Sequence, residues 1–397
     1  MTASSGKRNV FALFFLFGFS TMGWIARFPE VKANLHLSNG EFGTVMSSGS
    51  IGGVISLLVV GHIVHRFGTT FVMIFASLGY TSLIALMVHL NSVPLFLLSN
   101  FLGGVCVAAF HISVNAQALR EQERTDEILV PKAAGLWSLG ALLTLLLSGA
   151  LTSRVPLIWH IDLLEGISFL IMLILIQRMQ PFSLQPNKSK SEENSFTKIF
   201  KNFHVNWPIS IGMLMGVQLE FSSGDWATIY TKEDLHFNAG LATLPYISFM
   251  FAMIAGRLTI HRFSGRNPIE KLVRIGGVGG GTAFIIGLTL SHFLSKSHPY
   301  LALLSVCLGF LLAGFGSSFL GPIFLNAANR ASDSPGGVVV GQLGVVNNVL
   351  TFLVKAIIAW TAQWLSLSVA LIIPGAMLVG VALFARVISE NPVPDIQ

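Results

Sequence analysis

Long apolar runs, one after another and separated only by short polar turns, dominate this sequence. A helix of about 20 mostly apolar residues crosses the hydrocarbon core of a bilayer. Inside lipid every backbone N–H and C=O must be bonded within the protein, so such runs commit the chain to helices packed side by side. Segments of this kind lie at 9–27, 41–64, 68–90, 93–118, 132–153, 157–178, 207–230, 238–261, 269–292, 299–325, 337–362 and 366–388. Turn-forming residues sit between them, as at Phe28-Pro29-Glu30, Val130-Pro131 and Ser334-Pro335-Gly336-Gly337. Only 11% of the residues are charged and 53% are hydrophobic. A soluble domain carries about 25% charged residues, so there is too little charge here to cover a surface facing water. The expected fold class is an all-α integral membrane protein of twelve transmembrane helices in two pseudo-symmetric six-helix halves.

The longest polar stretch runs from Gln180 to Asn206 and contains Gln185-Pro186-Asn187-Lys188-Ser189-Lys190-Ser191-Glu192-Glu193, the composition of a solvated linker. It divides the chain into an N-terminal bundle (1–180), a linker (181–206) and a C-terminal bundle (207–397). Phe196, Phe200 and Phe203 share one face of a short helix at the linker's far end, or lie in plain linker. With the N-terminus placed inside, 18 of the 24 Lys and Arg fall on the inner side, five on the outer side, and Lys355 inside a span. That bias puts both termini in the cytoplasm and requires an even number of spans. The run Val10 to Ala26 has no small-x-small cleavage site and is expected to stay as the first helix.

The two halves echo each other. His65-Arg66-Phe67-Gly68 follows span two, and His261-Arg262-Phe263-Ser264-Gly265 follows span eight. Trp24 and then Leu35-His36-Leu37 follow span one, while Trp226 and then Leu235-His236-Phe237 close span seven. Asn115-Ala116-Gln117 near the end of span four has a counterpart in Asn326-Ala327-Ala328 of span ten. Three matches in order around a central linker indicate a duplicated six-helix unit of the parallel kind found in one large transporter fold.

On these features the whole chain resembles the major facilitator superfamily. The resemblance implies that superfamily's fold and a transport function without enzymatic activity. The superfamily's loop after span two has the form Gly-x-x-x-Asp-Arg-x-Gly, and here it reads Gly61-His62-Ile63-Val64-His65-Arg66-Phe67-Gly68. Gly61, Arg66 and Gly68 fit this cytoplasmic gate loop, while His65 stands where the acid belongs. An electrostatic clamp copied from the family would therefore be missing or pH-sensitive. Gly23 to Lys32, Ser113 to Gln117 and Glu220 to Trp226 resemble the fucose-permease-like branch of bacterial permeases. The Gly-Pro signature of efflux antiporters is missing from span five, which reads Trp137-Ser138-Leu139-Gly140-Ala141.

An ionisable side chain inside a span costs a few kcal/mol on insertion scales and faces a polar cavity or a partner. Span seven holds two, Glu220 and Asp225. They lie about 7.5 Å apart along the axis and about 140° apart around it. Unwinding at Ser222-Ser223-Gly224 would bring both to one cavity, where at least one is expected to titrate during transport. Span eleven aligns Gly344, Asn348, Thr351 and Lys355 on one stripe, with Asn347 beside it. Lys355 is expected to pair with a span-seven carboxylate, to contact the solute or to snorkel outward. Trp24 and Trp226 offer ring faces to a sugar or belong to an interfacial belt. Asn115 and Gln117 line a gate or bond between helices, His111 is a candidate proton group, and Glu165 is read as a helix-packing group. Arg257 is expected to snorkel to the inner surface or to pin the loop.

Cys106 and Cys307 form no metal or disulfide pattern, and Gly276-Gly277-Val278-Gly279-Gly280-Gly281 follows no strand and lacks the lysine of a nucleotide loop. No cofactor, metal or nucleic acid is expected. The expected partners are the lipid bilayer, a small-molecule solute and protons, and the expected state is a monomer. The function expected is secondary active transport of a small polar, sugar-like or organic solute by alternating access. A drug or metabolite efflux antiporter, or a non-transporting receptor on the same fold, remains the alternative.

Overall fold

The computed structural model describes residues 3–125, 129–179, 205–264, 268–332 and 336–389, and all regular structure among them is helical. The linker and its Phe196–Phe203 segment lie outside the described residues. The helices are α1 (Ala3–Gly23), α2 (Phe28–Asn34), α3 (Asn39–Met87), α4 (Val93–Thr125), α5 (Val130–Leu151), α6 (Leu157–Met179), α7 (Trp207–Glu233), α8 (Leu244–Ser264), α9 (Ile269–Leu294), α10 (Pro299–Ser317), α11 (Leu320–Arg330), α12 (Gly336–Trp364) and α13 (Leu367–Gly380). They form two compact units. One takes the described residues within 1–24 and 45–203, the other those within 25–44 and 204–397. The sequence places 25–44 with the first half; the structure groups it with the second.

Eleven stretches among the described residues are long and apolar enough to cross a membrane. α7 is not one of them, although 27 residues at 1.5 Å each would span about 40 Å. Gln218, Glu220, Asp225 and a series of serines and threonines make it too polar. It tolerates that composition because most of its length is buried in protein rather than lipid. α6 shows the opposite arrangement. Trp159, Leu163, Ile167, Leu170 and Ile174 form an exposed apolar face, and Ile161, Leu164, Glu165, Ser168 and Met172 point inward. A soluble helix would be reversed, so the exposed face is built for lipid.

Two spans depart from the simple segmentation. Spans two and three run as one helical stretch, broken only at Gly68 (φ 83°, ψ 163°). An L-residue with a side chain is strained in that conformation, which gives the family-like glycine of this loop a physical reason. Span ten breaks at Ser318 and Phe319 into α10 and α11.

The two Leu-His segments noted in the sequence share a backbone feature. His36 (φ 52°) and His236 (φ 59°) are the two non-glycine residues with positive φ among the described residues. Both sit at the left-handed exit of a helix. Leu37 N–H bonds to Lys32 O at 3.2 Å, and Phe237 N–H to Thr231 O at 3.2 Å. Such helix ends usually recruit glycine, and here histidine takes the left-handed conformation at both.

Within the second unit, residues 25–44 are held by charge and aromatic contacts. Lys32 Nζ lies 2.6 Å from Glu233 Oε2 and bonds to Asn39 Oδ1 at 2.5 Å. Beside this pair, burial pushes the Asp234 carboxyl above the usual carboxylate range. The neighbouring Glu233 adds to the shift, and His292, His236 and Lys32 oppose it. The folded state therefore binds that proton more tightly than the unfolded chain does, and this contribution to stability is lost as the pH rises through the raised value.

Close backbone approaches set the helix packing. A Cβ on Gly18 would stand 2.0 Å from Trp137 O, and one on Gly140 would stand 2.1 Å from Phe15 O, so α1 and α5 cross on a pair of glycines. The glycine run of α9 works the same way. Gly276 faces Gly316 O, and Gly281 faces Gly375 O. Gly140→Val is expected to lower the thermal midpoint in detergent, at a cost of about 1–3 kcal/mol from overpacking. Gly166→Ala, with nothing within 4 Å of the new Cβ, should leave the midpoint unchanged. In a second comparison, Asp234→Asn should raise the midpoint in neutral buffer and change it less in acid.

Candidate functional site

α7 stays helical from Trp207 to Glu233 without a break. The local unwinding that would aim both of its acids at one cavity does not occur. Glu220 and Asp225 diverge as a straight helix requires, and each meets its own cation within the second unit. Asp225 Oδ2 lies 2.8 Å from Lys355 Nζ of α12. Glu220 Oε2 lies 3.5 Å from Arg257 Nη2 of α8. Of the roles open to Lys355 in the sequence, the structure displays the ion pair. Its ammonium also stands 5.7 Å from the centre of the Phe221 ring, one residue beyond Glu220.

Arg257 also holds a second partner. Its Nε–H donates to the backbone carbonyl of Ser318 at 3.1 Å. Ser318 opens the break in span ten, where helical carbonyls lose their usual donors. One guanidinium thus serves a carboxylate on α7 and an interrupted helix on the far side. The sequence concealed this, since α8 runs antiparallel to α7 and Arg257 counts as an inner-side charge unless the helices are paired first.

Between the two ion pairs stands Tyr246 of α8. It is buried, and its hydroxyl would lie 3.2 Å from a Cβ on Gly224, within electrostatic reach of both acids. Glycine at 224 leaves room for that phenol. Gln218 is fully buried one turn earlier than Ser222, to which its Nε2 donates at 3.3 Å, and its Oε1 has no hydrogen-bond partner. Asn348 Nδ2 donates to Gly344 O at 2.8 Å, and Asn347 Nδ2 to Leu343 O at 3.1 Å. The Asn347 Oδ1 is buried without a partner. The second unit thus assembles two carboxylates, two cations, a phenol and several amides on α7, α8 and α12. Their charges balance, and both pairs keep some exposure: 14% and 18% for Lys355 and Asp225, 35% and 26% for Arg257 and Glu220.

The other expected site residues are placed differently. Trp226 is 2% exposed and meets Phe42 edge-on at 6.3 Å, with Phe42 in turn against Phe28 at 5.8 Å. Packing, rather than a ring face offered to a solute, is what holds Trp226. Trp24 is buried as well. Gln117 is fully buried and accepts a hydrogen bond from Thr69 at 3.0 Å, tying the end of α4 to the turn after Gly68. Asn115 donates to His111 O of its own helix at 2.8 Å, and the His111 ring stacks on Phe17 at 5.8 Å. Arg66 lies over the ring of Phe67 at 5.3 Å, and Gly61 has nothing within 4 Å of where its Cβ would be. The side chain of His65 lies outside the described residues.

Membrane-length helices with ion pairs between them in the second unit belong to the class of multi-pass membrane proteins. The profile of the Major Facilitator Superfamily matches residues 10–354, and the chain belongs to that family. An uncharacterised MFS-type transporter of Yersinia pestis is 24% identical over 383 residues, covering 95% of this chain and 94% of that protein. Membrane protein MosC of Rhizobium meliloti is 24% identical over 336 residues, or 83% of this chain and 78% of that one. Among solved structures, the nucleoside transporter NupG superposes with a TM-score of 0.72 at 14% identity, covering 99% of this chain and 100% of that one. A D-xylose–proton symporter gives 0.72 at 18% identity, with 97% of each chain covered. At these identities the solved structures show the fold alone. The chain is a multi-pass membrane transporter, and its relatives are not enzymes.

Breaking one ion pair while leaving its partner in place is the informative change. Asp225→Asn strands the Lys355 ammonium and is expected to lower stability by about 3 kcal/mol. The double variant Asp225→Asn/Lys355→Met should recover most of that loss. Thermal unfolding of the four proteins of this cycle in detergent measures the coupling, and additive losses would show that the pair contributes nothing.

Proposed function

We propose that the protein is a secondary active transporter that moves a small, net-neutral polar solute by alternating access, with protons as the coupling ion. The observation that carries this reading is the charge-balanced site on α7. A carboxylate and an ammonium 2.8 Å apart satisfy one another when the site is empty. A solute hydroxyl can accept from Lys355 and donate to Asp225, replacing the pair with two charge-assisted hydrogen bonds. A solute carrying a single charge would leave one of the two groups uncompensated in a low-dielectric site, which favours neutral or zwitterionic solutes. Asn347, Asn348 and Gln218 add donors and acceptors of the kind that fix orientation.

The topology proposed is twelve spans in two six-helix halves, 1–180 and 207–397, joined by the linker, with both termini in the cytoplasm of a bacterial inner membrane. The Lys and Arg bias supports the orientation, and the length of α7 supports counting it as the twelfth span. The left-handed His36 and His236 support the duplication. Gly61, His65, Arg66 and Gly68 then form the cytoplasmic gate loop, braced through Thr69 and Gln117. Proteins of this fold include a nucleoside transporter, a D-xylose–proton symporter and a peptide transporter. Their solutes are small and polar, which agrees with the site. Membership in the fucose-permease-like branch would narrow the class to sugars and polyols.

Counterflow into proteoliposomes tests the reading with a panel of neutral sugars, polyols, nucleosides and short peptides, set against organic anions and cations. Flux is expected for at least one neutral solute, and Asp225→Asn and Lys355→Met should each reduce it by about 100-fold, the equivalent of about 2.7 kcal/mol. Flux only for charged solutes, unaffected flux in both variants, or no flux at all would overturn the proposal, and the last result would favour a receptor.

A further inference from the structure

Three carboxylates stand well inside the apolar helices: Glu165, Glu220 and Asp225. The second unit gives Glu220 and Asp225 a cation each. Glu165, in the first unit, forms no ion pair among the described residues. It lies on the inward face of α6 and is 1% exposed. Its Oε2 accepts a hydrogen bond from Ser20 of α1, and its Oε1 is buried with no hydrogen-bond partner.

The surroundings are polar but uncharged. Thr144 of α5 and Leu164 of α6 both press on Gly23 of α1, each 2.8 Å from where a Cβ would be, and the Thr144 hydroxyl is also unpartnered. Tyr80 of α3 is fully buried nearby and donates to Met172 Sδ at 3.2 Å. Ser148 of α5 donates to Gly23 O at 2.7 Å and lies 3.4 Å from Nε2 of the buried His160, five residues before Glu165. Elsewhere on these helices Asp162 pairs with His89 at 3.0 Å on the exposed side, the buried Glu121 of α4 pairs with Arg124 at 2.6 Å, and the His111 ring of α4 stacks on Phe17 of α1.

An ionised carboxylate with one hydroxyl donor and no cation is the costliest state such a pocket could hold. Binding a proton removes the charge and with it most of that cost. Glycine at 23 lets Thr144 and Leu164 close over α1, which keeps water as a charge carrier out of the pocket. Stability alone would favour an apolar residue at 165, and the pocket instead supplies hydroxyls that can serve either protonation state.

We propose that Glu165 is the proton-binding group of the transport cycle, so that coupling resides in the first unit while the paired charges of the second handle the solute. The inference rests on the transporter reading. In the cycle a proton from water on one side forms the O–H bond at Glu165 and the charge vanishes. When the pocket opens to the other side that bond breaks, and the proton leaves to water there.

Two measurements on the full-length protein test this. The first is infrared difference spectroscopy of purified protein between roughly pH 5 and pH 9, the range reached by buried carboxyls. A carboxylic-acid band that titrates there and is absent from Glu165→Gln supports the proposal, and Glu220→Gln should leave that band in place. No such band in the wild type, or one that survives Glu165→Gln, overturns it. The second uses whichever solute the counterflow panel identifies. Glu165→Gln should retain counterflow but lose accumulation driven by a pH gradient, and Glu165→Asp should restore accumulation. Full gradient-driven accumulation in Glu165→Gln overturns the proposal. If Glu165→Gln does not fold, Ser20→Ala stands in its place, with a shifted titration of the same band expected and an unshifted one counting against. Because the spectroscopy needs no solute, a failed transport reading and a failed proton site remain distinguishable.

Discussion

A charge inside a lipid-spanning protein has to be balanced, and the interior of this one is organised by how each charge meets that demand. Lipid offers a charge no hydrogen bond, so a partner must come from another helix or a polar cavity, or the charge must be given up. The second unit takes the first course. Lys355 answers Asp225 from α12, and Arg257 answers Glu220 from α8 while bonding the carbonyl of Ser318. The polar residues of α7, the glycine opposite Tyr246 and the Ser318 carbonyl at the break in span ten all lie around those pairs. In the first unit Glu165 accepts from Ser20 through one oxygen and forms no ion pair among the described residues, and the helices around it close on glycine.

Much of the scaffold was legible in the sequence because hydrophobicity is local. Apolar runs, turn residues and the bias of Lys and Arg each report on a few neighbouring positions, and helix boundaries follow from them within several residues. The repeat was legible for the same reason. Leu35-His36-Leu37 and Leu235-His236-Phe237 are short matches, and the left-handed φ of both histidines gives that match a structural basis. The least apolar of the spans read from the sequence is α7, which carries Glu220 and Asp225 and depends on burial by its neighbours.

The site was less legible, since pairing is not local. The sequence could place Glu220 and Asp225 on different faces of one helix, but not say which helix each face meets. Arg257 was counted as an inner-side charge because nothing near it in sequence points to Glu220. Trp226 has the residue type of a sugar platform, yet its ring is spent on Phe42, which lies in the segment 25–44 that the structure groups with the second unit. Gln117 is an anchor for Thr69, a contact 48 residues long in sequence. In each case the residue type was informative and its partner decided the role.

The same logic separates the two kinds of acid. A carboxylate with a cation 2.8 Å away can exchange that partner for a solute group without changing its charge, so it suits recognition. A carboxylate with no cation can change its state only by changing its charge, so it suits a proton. If both tasks fell on one group, every solute that displaced Lys355 from Asp225 would also disturb the coupling proton. Placing them in separate units lets each event keep its own energetics and leaves the movement of the helices to link them. An uncompensated acid in one unit and compensated acids in the other is therefore an arrangement in which solute specificity could be altered, by changing α7 and α12, without altering the ion that drives transport.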